Sequence, residues 1–191
     1  MSKPFNQGTQ VEQFVWRKLD LLLNNQSNQK TAADLAHLRH SLGKPVGTSP
    51  NTWDLIFGGL PENLMSKGNE PTAAEKAINA ALTLFSVHQQ GKSLDNPMSK
   101  QGESFASAVR KLAKDEDELK RIKRRFDQVC TAKSLEELTH HSRGIIQLLK
   151  REDLAFDYPK YAKDLYFFQF PRSRDRVLLR WGQDFYRVVK H

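Results

Sequence analysis

Cysteine and long apolar runs are nearly absent from this sequence of 191 residues. Its single cysteine, Cys130, excludes a disulfide framework and a thiolate metal cage, and its apolar neighbours favour a packed thiol. No run of about 18 apolar residues occurs, so the sequence predicts no transmembrane helix. Since the opening residues MSKPFNQGTQ also lack the apolar core of a secretory signal, we expect a folded cytoplasmic protein.

Motifs that would indicate catalysis are missing as well. The sequence contains no P-loop, no GxGxxG after a strand, no HExxH and no GxSxG. His37 and His40 lie one helical turn apart, but no third metal ligand is indicated, and His140 and His141 point to different sides of a helix. The carboxylates at 115–118 are explained by helix capping. We therefore predict a protein that is not an enzyme, with no catalytic residue, no metal site and no cofactor.

Helical patterns repeat along the chain, and strand patterns do not. Apolar residues recur at helical spacing between residues 11 and 23, and the last helix is predicted from Ser173 onward with Val188 on its buried stripe. The sequence predicts an all-α protein of eight or nine helices with short connections. The predicted N-terminal caps are Thr31–Asp34, Thr72–Glu75, Asp115–Glu118 and Ser134–Glu137.

The segment from Gly91 to Gly102, GKSLDNPMSKQG, concentrates glycine, proline, serine and asparagine and predicts an internal linker or mobile loop. It suggests an N-terminal helical domain over 1–96 and a basic C-terminal helical domain over 97–191. Basic and acidic residues number 9 and 8 in the first 97 positions, against 21 and 14 in the remainder. This asymmetry indicates a polyanionic partner for the C-terminal half, and nucleic acid is favoured over a membrane surface.

The most basic segment runs from Leu119 to Val129 and reads LKRIKRRFDQV. At about 100° per residue its apolar residues fall on one narrow stripe, whereas Arg121 and Arg124 point away from that stripe. A helix that buries such a stripe presents a row of cations suited to successive phosphates of a nucleic-acid backbone. The alternative interpretation is a solvated helix face without a ligand.

Four segments, in order, resemble the CasB family, the small subunit of the type I-E CRISPR Cascade complex. They are LAHLRHSLGKPVGTSPNTWDLI, ALTLFSVHQQ, KRRFDQVCTAKSLEELTHHSRGIIQLLK and AFDYPKYAKDLYFFQFPRSRDRVLLRWGQDFY. The resemblance extends from about Arg17 to Tyr186. Its most specific pieces are Leu84–Gln89, Arg124–Phe126, Asp157–Tyr158 and Arg180–Phe185.

The resemblance implies two small helical domains and a head-to-tail pair of copies within an RNA-guided effector complex. It also implies contacts with the backbone subunits and the large subunit of that complex. Such a protein helps hold the crRNA and the target strand, stabilises the displaced single-stranded non-target DNA through a basic surface, and is not a nuclease.

Resemblance and charge together predict two groups of nucleic-acid-binding arginines. The first group is Arg39, Arg110, Arg121, Arg124, Arg125 and Arg143, and the second is Arg172, Arg174 and Arg176. For Arg124 and Arg125 an ion pair with a carboxylate of a neighbouring helix is the structural alternative.

Two other functions stay open at this point. One is a free-standing helical DNA-binding regulator, with residues 130–134 as the turn of a helix-turn-helix motif. The other is a structural adaptor between proteins, whose charge serves only solubility.

Overall fold

The computed structural model describes residues 4–187, which form helices and connecting loops and no β-strand. The predicted all-α architecture is confirmed. Val188, predicted on the stripe of the last helix, lies outside the described residues. The helices are α1 (Pro4–Asn24), α2 (Asn28–Ser41), α3 (Trp53–Ile56), α4 (Ala73–Gln89), α5 (Phe105–Lys111), α6 (Glu116–Cys130), α7 (Leu135–Arg151), α8 (Tyr158–Phe168) and α9 (Pro171–Tyr186).

Helix starts follow the predicted caps in three of the four places. Helix α4 begins with a complete capping box, in which the Glu75 backbone N–H donates to the Thr72 hydroxyl and the Thr72 backbone N–H donates to the Glu75 carboxylate. Asp115 and Ser134 cap α6 and α7 in the same position. The cap predicted at Thr31–Asp34 is wrong: α2 starts earlier, with Ser27 as its N-cap.

Helix α4 lies at the centre of the fold. Each of its residues from Ala80 to Gln89 is buried, and it packs against α2, α7 and α8. Helix α1 packs along α8 at close range, since a Cβ at Gly8 would lie 2.5 Å from the ring of Phe167. Most of the buried apolar side chains form one cluster that includes residues from both halves of the chain. The division into domains at residues 96 and 97 stays a prediction.

Hydrogen bonds connect the predicted linker, Gly91–Gly102, to the rest of the fold. The Gln89 side chain accepts from the Met98 backbone N–H at 2.8 Å and donates to the Ser93 carbonyl at 3.0 Å. At the other end, the Gly102 backbone N–H donates to the Asp157 carboxylate at 2.8 Å. Met98 itself is buried, so this segment contributes to the core.

Among the helices that the structure describes, none is long and apolar enough to cross a bilayer.

Candidate nucleic-acid interface

An aromatic core fixes the orientation of α6. Ile122, Phe126 and Val129 are buried, as the stripe predicts. The ring of Phe126 stacks on Phe185 of α9, with centroids 4.9 Å apart, and lies 6.3 Å from the Trp181 ring. Because these contacts hold one face of α6 against the core, the opposite face is held toward solvent.

The outward face of α6 carries two kinds of cation. Lys120 and Lys123 form ion pairs with Asp117 and Asp127 of the same helix, at 3.2 and 2.6 Å. The other kind is arginine. Arg121, Arg124 and Arg125 are exposed, and no residue that the structure describes forms an ion pair or a hydrogen bond with their side chains. The lysine charges are compensated locally, whereas the three guanidinium groups remain available to a ligand.

Helix α7 extends this surface beside Arg125. A Cβ at Gly144 would lie 3.9 Å from Nη1 of Arg125, so the guanidinium group reaches the neighbouring helix where a side chain is missing. Arg143, the residue before Gly144, is exposed and has no ion-pair partner within the described residues. We call Arg121, Arg124, Arg125 and Arg143 the α6–α7 arginine surface. The structure therefore brings four of the nine predicted arginines onto two adjacent helices.

The three predicted arginines of α9 have different surroundings. Arg172 and Arg176 are exposed, one helical turn apart, and unpaired in the described part of the chain. Arg174 is half-buried. Its Nε donates to the Phe168 carbonyl at 2.9 Å, and its guanidinium group lies 4.4 Å from the centre of the Phe168 ring. These contacts attach the start of α9 to the end of α8, so Arg174 is occupied within the protein.

Arg39 and Arg110 are also engaged by the protein itself. Arg39 Nη1 donates to the Ser86 carbonyl near the end of α4 at 3.3 Å, and burial lowers the pKa of its guanidinium group. Arg110 Nη1 donates to the Ala113 carbonyl at 3.2 Å, just beyond the end of its own helix. Both side chains are half-buried and satisfy carbonyl groups at helix ends.

The structure gathers a basic cluster around Arg39 that sequence reasoning missed. Arg39 and Lys92 line one groove, and burial together with the charges of Lys92 and Arg39 lowers the pKa of Lys150. Arg39 lies in α2, Lys92 in the connection after α4, and Lys150 in α7. Because the three are far apart in sequence, no local pattern predicts this cluster. Lys92 also pairs with Asp153.

The described histidine and cysteine side chains do not assemble a metal site. Among residues 4–187, no group of three or more histidine, cysteine, aspartate or glutamate side chains could hold a metal ion. His141 lies 3.8 Å from Glu137 of its own helix, and the rings of His140 and His141 are 5.5 Å apart. Burial raises the pKa of the Cys130 thiol to about 12, so this group stays protonated at neutral pH.

The turn between α6 and α7 has little in common with a DNA-reading motif. Residues 131–134 join the two helices, as a helix-turn-helix would require. The first turn of α7, however, carries Glu136 and Glu137. These carboxylates would repel phosphates where a recognition helix contacts DNA, which disfavours the regulator.

A family model and solved structures both match this chain, and they indicate the same family. The family model described as CRISPR-associated protein Cse2 matches residues 34–186. The structure is similar to CasB from Thermobifida fusca, with a TM-score of 0.74 and 30% sequence identity over 95% of this chain and 98% of that chain. CasB from Thermus thermophilus shares the fold, with a TM-score of 0.67 at 20% identity over 90% of this chain and 97% of that chain. A search of curated proteins finds no match.

Proposed function

Because the chain belongs to the CRISPR-associated Cse2 family, in agreement with the resemblance to CasB, we propose that it is a non-catalytic small subunit of an RNA-guided Cascade complex. In this role it binds the sugar-phosphate backbone of nucleic acid through the α6–α7 arginine surface, with Arg172 and Arg176 of α9 as a second contact. It helps hold the crRNA and the target strand, and it stabilises the displaced non-target DNA strand.

The observation that carries this proposal is the unpaired state of the arginines on a helix whose other face is fixed in the core. A guanidinium group that forms no ion pair within the described structure loses no internal partner when it binds a phosphate. Arginine also offers five donors in a planar fork that suits phosphate oxygens. The surface has an acidic first turn on α7 and no base-reading geometry, so it favours backbone contacts.

The energetics of strand exchange explain why such a surface is useful. The guide heteroduplex is about as stable as the DNA duplex that it replaces, so the exchange is nearly balanced. Contacts that stabilise the displaced single strand therefore shift the equilibrium toward the open state. They must tolerate any sequence, because the target varies with the guide, and backbone-binding cations meet this requirement.

The proposal includes protein partners implied by the family resemblance. These are the backbone and large subunits of the complex and a second copy of this chain arranged head to tail. Within such an assembly a modest affinity for nucleic acid is sufficient, because neighbouring subunits raise the effective concentration of the strand.

A salt titration of the purified protein with labelled single-stranded and duplex DNA tests the nucleic-acid role. We expect sequence-tolerant binding to single strands whose logarithmic affinity falls linearly with the logarithm of salt concentration. A flat salt response would contradict the proposal and support the structural adaptor. A preference of about tenfold or more for one duplex sequence would support the DNA-binding regulator instead.

A further inference from the structure

An exposed tryptophan, Trp16, lies in a groove whose lining is apolar and acidic, unlike the α6–α7 arginine surface. Trp16 of α1 is 56% exposed, although it is among the largest apolar side chains of the protein. It lines a groove between α1, the 91–102 connection and the start of α8, together with Leu19, Leu23, Pro97 and Pro159. Exposed tryptophans in apolar grooves are frequent energetic centres of protein interfaces.

Carboxylates flank this tryptophan on its own helix. Glu12 and Asp20 lie four residues before and four residues after Trp16, so all three side chains share one face of α1. Asp20 accepts hydrogen bonds from the neutral amides of Asn24 and Asn25, at 3.0 and 2.8 Å, and forms no ion pair with a described residue. Glu12 pairs with Lys163 at 2.6 Å.

The charge of the groove determines which partner fits it. Among residues 4–187, no lysine or arginine lines the groove, whereas Glu12, Asp20 and Asp157 do, in a protein of net charge +8. A nucleic-acid backbone would be repelled here. A guanidinium or ammonium group is attracted to carboxylates and to the face of an indole ring, so a basic protein segment is complementary to this surface.

We propose that the Trp16 groove binds a basic segment of another protein subunit. In the complex, an arginine or lysine side chain of that segment lies over the Trp16 ring, near Asp20, and a neighbouring aliphatic side chain packs on Leu23. The inference rests on the proposed function, because that subunit belongs to the same effector complex. It assigns protein contacts to α1 and nucleic-acid contacts to α6, α7 and α9.

The test measures binding of this chain to the effector complex assembled without it, in the absence of target DNA. Trp16→Ala and Asp20→Lys should each weaken binding at least tenfold. Trp53→Ala and Glu62→Lys are the matched controls, since Trp53 is 50% exposed and Glu62 is exposed, and neither lines the groove. The controls should stay within twofold of the parent, and all four variants should keep the parent's affinity for single-stranded DNA.

A cross-link identifies the occupant directly. With p-benzoylphenylalanine in place of Trp16, irradiation of the complex should join this position to a peptide of another subunit that contains arginine or lysine. A cross-link to RNA, to a second copy of this chain or to a peptide without a basic residue would overturn the inference. If Trp16→Ala bound as well as the parent, the groove assignment would be wrong while the proposed function would stand. If the parent chain itself failed to bind, both would be wrong.

Discussion

The carboxylate of Asp164 accepts a hydrogen bond from the indole N–H of Trp181 at 2.7 Å, within the packed layer between α8 and α9. Asp164 also pairs with Arg180 and is only 4% exposed. The Trp181 ring in turn stacks on Tyr161 and lies beside Phe126 of α6. A buried acid in α8 thus helps to hold α9, the helix that carries Arg172 and Arg176.

This acid makes stability depend on pH in an unusual direction. Burial raises the pKa of Asp164 from 3.8 to about 6, although Arg180 and Trp181 oppose the shift. Between those values the folded state binds more protons at this site than the unfolded state. The contribution of Asp164 to stability therefore falls as pH rises from about 4 to 6, by about 1.4 kcal/mol per pH unit.

His88 has the opposite effect in the same range. It is fully buried beside Tyr158, and burial lowers its pKa from 6.5 to about 3. Between about pH 6.5 and 3 the unfolded state binds the extra proton, so stability falls by about 1.4 kcal/mol for each unit that pH is lowered. From about pH 4 to 6 the two contributions cancel.

Single substitutions should reveal the separate contributions of Asp164 and His88 to the pH dependence of stability. Relative to the parent, Asp164→Asn should give a free energy of unfolding that rises more steeply with pH between 4 and 6, and His88→Asn one that rises less steeply. The double variant should follow the slope of the parent. Urea unfolding across this range measures all four proteins, and slopes that stay parallel to the parent in both single variants would contradict the assignment.

The α6–α7 arginine surface gives a prediction about binding without loss of fold. Replacing Arg121 and Arg124 with alanine should change stability by no more than about 0.5 kcal/mol, since both side chains are exposed. It should reduce the salt slope of single-strand binding by roughly 1.4, at about 0.7 per lost phosphate contact. Thermal unfolding and DNA titration of the same variant separate the two effects.

Lys120 and Lys123 provide the matched control. Replacing both with alanine removes the same charge from the same helix, but these lysines already pair with Asp117 and Asp127. The salt slope should therefore change less than in the arginine variant. Ile122→Ala should destabilise the fold by about 2 to 5 kcal/mol, because Ile122 is buried. An arginine variant that unfolds early yet binds normally would show that these arginines are structural.

We expect alanine variants of Arg174 and Arg172 to differ in thermal unfolding and in DNA titration. Arg174→Ala removes the hydrogen bond to the Phe168 carbonyl and the contact with the Phe168 ring, and should lower stability by about 1 to 3 kcal/mol. Arg172→Ala should leave stability unchanged and weaken DNA binding. The reverse pattern would place Arg174 at the nucleic acid and Arg172 in the fold.

The shared core predicts one cooperative unfolding transition. Helices α1 and α4 both pack on α8, so contacts cross the boundary predicted at residues 96 and 97. Calorimetry should show a single peak whose calorimetric and van't Hoff enthalpies agree. Two resolved transitions, with residues 1–96 melting separately, would establish two independent domains.

Structural features that depend on residues close in sequence were predicted best. The capping box at Thr72 and the outward face of α6 follow from spacing alone, because cap geometry and helical periodicity are local. The prediction of Thr31 as an N-cap was wrong for a physical reason. The Thr31 hydroxyl donates to the Leu22 carbonyl of the preceding helix at 2.7 Å, and Ser27 is the N-cap of α2.

Features that depend on distant partners could not be predicted. Arg172 and Arg174 are indistinguishable in sequence, and the contacts of Arg174 with the ring and carbonyl of Phe168 separate their roles. The 91–102 connection has the composition of a flexible segment, yet the side chains of Gln89 and Asp157 hold it in place. Lys92 and Lys150 meet only through tertiary packing.

The packing of α1 along α8 has a consequence for how the protein is made. Helix α1 is synthesised well before its partner α8, because α2 to α7 lie between them in the sequence. Until α8 has been synthesised, the part of α1 that packs on it, where Gly8 approaches the Phe167 ring, has no native partner. This part of the core therefore forms through contacts between segments distant in sequence, which form more slowly than local ones.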